Sequence, residues 1–139
     1  MPEGEGSADP TKTAANRRQL RSCRLDSALD LVHLTLQCQG DWELERELLG
    51  LFLVQSRALY AQLSDPARWS LESKATIAHK LRGSALVVGA GRVARAAEAL
   101  ERKALAARGD AAQRVILPAI AALEAAIAEV VAEIELVRN

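Results

Sequence analysis

Beyond residue 24, apolar residues return every three or four positions through most of the chain, which is the period of a helix face and not of a strand. Leu25, Leu29, Val32 and Leu36 define a first short helix that Asp26 or Ser27 is placed to cap and that stops at Gly40. From Asp41 the pattern predicts a second helix of about twenty residues, with Leu44, Leu48, Leu51, Phe52, Gln55, Leu59 and Leu63 on one face. The cluster Ser64, Asp65, Pro66 ends it, because proline restricts the residue before it and cannot continue the hydrogen-bond ladder. A third helix is expected from Ser70, with Glu72 and Ser73 nearby, to Val88. Its inward stripe is Leu71, Ala75, Ala78, Leu81, Ala85 and Val88, and Gly89 supplies a left-handed C-cap. A fourth, from Gly91 to Ala107, turns Val93, Ala97, Leu100 and Ala104 inward, and Gly109 with Asp110 marks the turn that follows.

The last segment carries the strongest pattern. Ile116, Ile120, Leu123, Ile127, Val130, Ile134 and Val137 alternate four-three without a break, the seam of a helix packed nearly parallel or antiparallel to its neighbours. Such a seam also suits a coiled-coil dimer. Three further amphipathic helices with short connections already need cover for their own apolar faces, which favours packing within one chain. Pro118 is expected either to mark the first turn of this helix or to kink it. The fold expected is all-α: an antiparallel four-helix bundle with an additional short N-terminal helix lying across it. Residues 1–22, rich in Gly, Pro, Ser, Thr and charge, read as a flexible tail, and residues 23–139 as one helical domain.

Composition narrows the function classes. The 139 residues suffice for one core, and only 3% are aromatic, so that core is built from Leu, Val, Ile and Ala. Basic and acidic residues number 18 each, a balance that argues against nucleic acid as the main partner. Cys23 and Cys38 form no CxxC pattern, which points to neither a metal site nor a redox motif. No apolar signal region opens the chain and no window is read as a membrane span, so a cytoplasmic protein without membrane attachment is expected. Trp42, Tyr60 and Trp69 are isolated and read as packing residues at helix ends.

Chemistry concentrates in the third helix. From Lys74 to Arg95 the chain carries Lys74, Lys80, Arg82, Arg92 and Arg95 without one Asp or Glu, a cationic patch in a chain of zero net charge. At 100° per residue, Thr76, His79, Arg82, Gly83 and Leu86 share the face away from the apolar stripe, so His79 is expected to project into solvent. Gly83 interrupts this helix at a cost of about 1 kcal/mol relative to alanine. Bare backbone one turn from an imidazole suits the close approach of a second molecule. A neutral imidazole is a nucleophile. His33, the only other histidine, has no glycine or base at the same spacing and reads as structural or surface.

The run H-K-L-R-G-S-A-L-V-V-G-A, His79 to Ala90, resembles the phosphorylation-site motif of histidine-containing phosphotransfer domains, H-x-x-[KR]-G-[SAG] with a later glycine ending the helix. The likeness extends over the chain from about residue 24, including the acidic-apolar run Asp41 to Leu53 and the stretch around Leu100 and Glu101. It implies His79 as phosphoacceptor, Arg82 as the base attending the phosphoryl oxygens, and Gly83 as the gap that admits a receiver domain. Lys80 adds charge to that surface. Ser84 takes the place of a small residue that packs closely or makes a local hydrogen bond. The family more often has lysine where Arg82 stands, and arginine keeps the charge while adding a planar fork. It implies as well that Glu101 accepts from Nδ1–H of His79, leaving Nε2 to react. The competing reading of Glu101 is an ordinary surface pair with Arg102 or a lysine.

The function so implied is that of a carrier in a two-component phosphorelay, not an enzyme. His79 takes a phosphoryl group from an aspartyl phosphate of a response-regulator receiver domain docked on the third and fourth helices, and passes it to another receiver. A hybrid histidine kinase is a further partner, the working unit is a monomer, and the chain needs no cofactor, Mg²⁺ being expected on the receiver. Two alternatives stand beside this: a phosphoacceptor domain charged directly by a histidine kinase, and a helical adaptor that transfers nothing.

Overall fold

Three side chains fix where helices begin. The structure, a computed structural model, describes residues 28–65 and 70–138 and is helical almost throughout, with no strand among those residues. Helix α1 spans Leu31–Gln37, α2 Trp42–Ser64, α3 Leu71–Val88, α4 Gly91–Ala106 and α5 Ala112–Arg138, with a 3-10 turn at Gly109–Ala111 before the last. Asp30 Oδ1 accepts from the His33 N–H at 3.0 Å, Asp41 Oδ1 from Leu44 at 3.1 Å, and Ser70 Oγ from Ser73 at 3.4 Å. Each cap satisfies an amide that the first turn leaves without an intrahelical partner, worth about 1 kcal/mol.

At the other end of α3, Gly89 takes the left-handed conformation (φ 81°), and the Ala90 N–H reaches back to the Ala85 carbonyl at 2.8 Å. The expected cap is in place, and α4 begins two residues later. Gly89 carries a tertiary load as well. Its carbonyl accepts from the Asp30 N–H at 2.8 Å, which ties the start of α1 to the end of α3.

The four long helices pack in a closed cycle, α2 on α3, α3 on α4, α4 on α5 and α5 back on α2, and α1 lies against α3 and α2. The pairing of α3 with α4 is the most extensive. Ala78 and Ala85 on α3, with Ala97 on α4, are wholly buried, and their small side chains let the two backbones come close. Around them the core is filled by Leu34, Leu49, Leu63, Leu81, Leu100, Ile116, Leu123 and Ile134. Burial of this kind contributes about 25 cal/mol per Å² of apolar surface.

The stripes expected for the third and fourth helices and the seam of the last are buried, except that Leu71 is half-buried and Val137 exposed. Other expectations need correction. The first helix starts at Leu31, capped by Asp30; residues 25–27, with the proposed caps Asp26 and Ser27, lie outside the described residues, as do the tail at 1–22, Pro66 and Trp69. On α1 Leu34 is buried, while Val32 and Leu36 face outward. The buried stripe of α2 is Leu49, Phe52, Leu53, Ser56, Leu59 and Leu63, so Leu44, Leu51 and Gln55 are exposed and Leu48 half-buried. Helix α5 runs on through an exposed Pro118, well past its first turn. Trp42 opens α2 but is exposed, with the Arg46 guanidinium 4.7 Å from its ring centroid.

One helix has the length and composition of a membrane span although charged residues interrupt its apolar run. The segment Gly109–Val137 contains an 18-residue window of mean hydropathy 2.1, long and apolar enough by length and composition to cross a membrane. Alanines between the seam residues raise its hydropathy, and 39% of that window is buried inside the chain, where the seam forms the core.

Candidate functional site

His79 stands on α3 with its side chain 67% exposed, one turn beyond Ala75 and at the edge of the buried stripe of Ala75, Ala78 and Leu81. The adjoining helix supplies its partner. Glu101, a quarter-turn beyond the buried Leu100 on α4, places Oε2 at 3.0 Å from His79 Nδ1. Its other oxygen, Oε1, is 3.9 Å from Nη1 of Arg82. The carboxylate therefore serves the two α3 residues, three positions apart, that project over α4. An ionised carboxylate only accepts, so the neutral ring beside it carries its proton on Nδ1 and its lone pair on Nε2.

Gly83 is exposed, and a Cβ built on it would meet nothing within 4 Å. No neighbour in the fold requires glycine there. Ser84 donates its hydroxyl to Gln55 Oε1 of α2 at 2.7 Å, a local hydrogen bond that ties the third helix to the second beside the site. Gln55 falls on the apolar face that the pattern predicts for this helix, and its amide among otherwise apolar side chains is the available signal. On the other side of His79 an open groove of about 560 Å³ runs between α3 and α4, lined by Glu72, Ala75, Thr76, Lys80, Glu101 and Leu105.

The cationic patch is smaller than the sequence suggested. Lys74 is 1% exposed and takes no part in the surface; its ammonium donates to the Leu63 carbonyl at the end of α2. Burial pushes its pKa below the usual lysine value, and the Asp65 carboxylate partly opposes the shift. Arg92 pairs with Glu129 of α5 at 3.0 Å. Lys80 and Arg95 are exposed. The run from 74 to 95 contains no acid, yet the fold brings Glu101 and Glu129 to it from other helices.

Away from this face, His33 is half-buried in the first turn of α1, its Nε2 buried with no hydrogen-bond partner among the described residues. A Cβ on Gly89 would fall 3.2 Å from its Cδ2. Cys38 is buried where α1 ends; burial first, then the Glu45 and Asp41 carboxylates, push its thiol up.

The family model described as Hpt domain matches residues 47–133, a span that holds both His79 and Glu101. The chain belongs to the Hpt domain family. The match begins inside α2, so α1 and the residues before 47 lie outside it, although the sequence likeness was drawn from about residue 24. No curated protein and no solved structure matches the chain. Hpt domains are histidine-containing phosphotransfer modules of phosphorelays, carriers of the phosphoryl group and not catalysts, and they interact with receiver domains and kinases. The all-helical architecture agrees with that family.

Proposed function

We propose that this Hpt domain is a phosphorelay intermediate whose phosphoacceptor is Nε2 of His79. An aspartyl phosphate on a response-regulator receiver donates the group, and a second receiver takes it away. The observation that carries the reading is the solvent-exposed imidazole held through Nδ1 at 3.0 Å from Glu101. That contact selects one tautomer and orients the ring, so the attacking nitrogen does not have to find its geometry in each encounter.

In the forward step the Nε2 lone pair attacks phosphorus in line with the bond to the donor carboxylate, which leaves with the electron pair. Arg82 and Lys80 offset the charge of the phosphoryl oxygens, while Gly83 leaves room for the receiver's loops. Ser84, through Gln55, holds α3 in register with α2 beneath the docking face. Charge on this surface acts chiefly on encounter rate and register, so association is salt-sensitive and of moderate affinity.

The closed packing cycle supports an antiparallel four-helix bundle with α1 laid across it. The burial of Ile116, Leu123, Val130 and Ile134 inside one chain supports a monomer over a coiled-coil dimer. A cytoplasmic location follows from the partners this reading requires. The test is incubation with a panel of phosphorylated receiver domains. Wild-type protein acquires an acid-labile, alkali-stable phosphoryl group, and His79→Ala acquires none while keeping its helical circular dichroism. Equal labelling of the two proteins would overturn the assignment.

A further inference from the structure

The Glu101 carboxylate divides its two oxygens between two α3 side chains, Oε2 at 3.0 Å from His79 Nδ1 and Oε1 at 3.9 Å from Arg82 Nη1. Side-chain exposure falls from 67% at His79 to 38% at Arg82 and 21% at Glu101, so the anion is the most sheltered of the three. The charged groups around the ring are Glu72, Lys80 and Arg82 on α3 and Glu101 on α4.

When neutral imidazole attacks through Nε2, a P–N bond forms, the donor carboxylate departs, and the ring becomes cationic with its proton still on Nδ1. On discharge the P–N bond breaks and its electron pair returns to Nε2. A ring that has kept the Nδ1 proton leaves as neutral imidazole. A ring that has lost it must leave as imidazolate, a much stronger base and a poorer leaving group. An anionic acceptor at hydrogen-bond distance from Nδ1 favours the protonated ring. Arg82 adds to this effect. A doubly charged phosphoryl group one turn away competes for its guanidinium, and a guanidinium drawn off Oε1 leaves more of the carboxylate's charge for the Nδ1 proton.

We propose that Glu101 sets how long the phosphoryl group stays on His79, by keeping the proton on Nδ1 after phosphorylation and so keeping the ring a good leaving group. The proposal rests on the reading of His79 as phosphoacceptor. Glu101 is on this account a positioning residue, since it acts only through the ring.

The test loads wild type and Glu101→Gln with phosphoramidate, removes the donor, and follows loss of the phosphoryl group to water by ³¹P NMR from about pH 6 to about pH 10. In wild type the loss slows as pH rises and the Nδ1 proton departs. Glutamine is isosteric but uncharged, so the protonated ring is less favoured and the midpoint of the profile falls by about half to one pH unit. On the falling limb that is about three- to ten-fold slower loss. Superimposable profiles, or a uniform change of rate with an unmoved midpoint, overturn the proposal and leave the phosphoacceptor reading intact. A wild-type protein that takes up no phosphoryl group at His79 overturns both.

Discussion

Gly83 is the residue whose presence the fold does least to explain. It sits in the interior of α3 at a cost of about 1 kcal/mol, and a Cβ there would meet nothing within 4 Å. Gly83→Gln therefore raises the thermal midpoint, by about 0.5–1 kcal/mol of added stability. Phosphotransfer from a receiver falls by about ten- to hundred-fold in the same variant, because the bulk stands where the partner must come. A melting curve and a transfer assay on one preparation read both effects. The motif at His79, Arg82 and Gly83 was legible in the sequence because helical spacing alone puts the three on one face. The Ser84–Gln55 bond was not, since it depends on which stripe of α2 turns toward α3.

At the scale of elements, the third, fourth and fifth helices were readable because each has one apolar stripe and a marked end. Helix α2 is different. Its run from Leu48 to Val54 is apolar nearly all round, so several stripes a residue or two apart were available, and packing against α3 and α5 chose among them. The start of α1 lies later than the pattern predicts for a related reason: Asp26, Ser27 and Asp30 are all competent caps by residue type, and Asp30 is held in place by the hydrogen bond its N–H donates to the carbonyl of Gly89, far away in sequence. Gly89→Ala tests that junction. A Cβ at this left-handed position would fall 2.8 Å from the Asp30 carbonyl oxygen, and the variant loses about 2 kcal/mol in urea denaturation.

Lys74 joins two elements by a buried charge, and pH reports it. A lysine whose pKa is lowered in the folded state binds fewer protons there than in the unfolded chain, so stability rises with pH between the folded value and 10.5. Urea midpoints at neutral pH and near pH 10 should show that gain in wild type relative to Lys74→Met, in which it is absent. The sequence could not separate this lysine from the surface cations around it. Its stem follows the same helix face as Ala78 and Leu81, and only the position of the α2 terminus reveals where the ammonium ends.

For the whole molecule, the proposed function calls for a division of labour between a rigid interior and one exposed face. The closed cycle of helices fixes α3 against α4 through buried alanines, and that contact brings Glu101 beneath His79 from 22 residues away. The sequence pointed to Glu101 through resemblance, while a surface ion pair remained open; the fold places its carboxylate on the imidazole. The apolar C-terminal helix shows the reverse lesson, since its hydropathy alone suits a membrane and its buried seam suits a core. The imidazole ¹⁵N spectrum of the phosphorylated, histidine-labelled protein decides whether His79 is the phosphoacceptor. His79 alone should shift, in the pattern of a ring phosphorylated at Nε2 with its proton on Nδ1, while His33 is unchanged. Phosphorylation at His33, at Nδ1 of His79, or at no histidine would contradict that role.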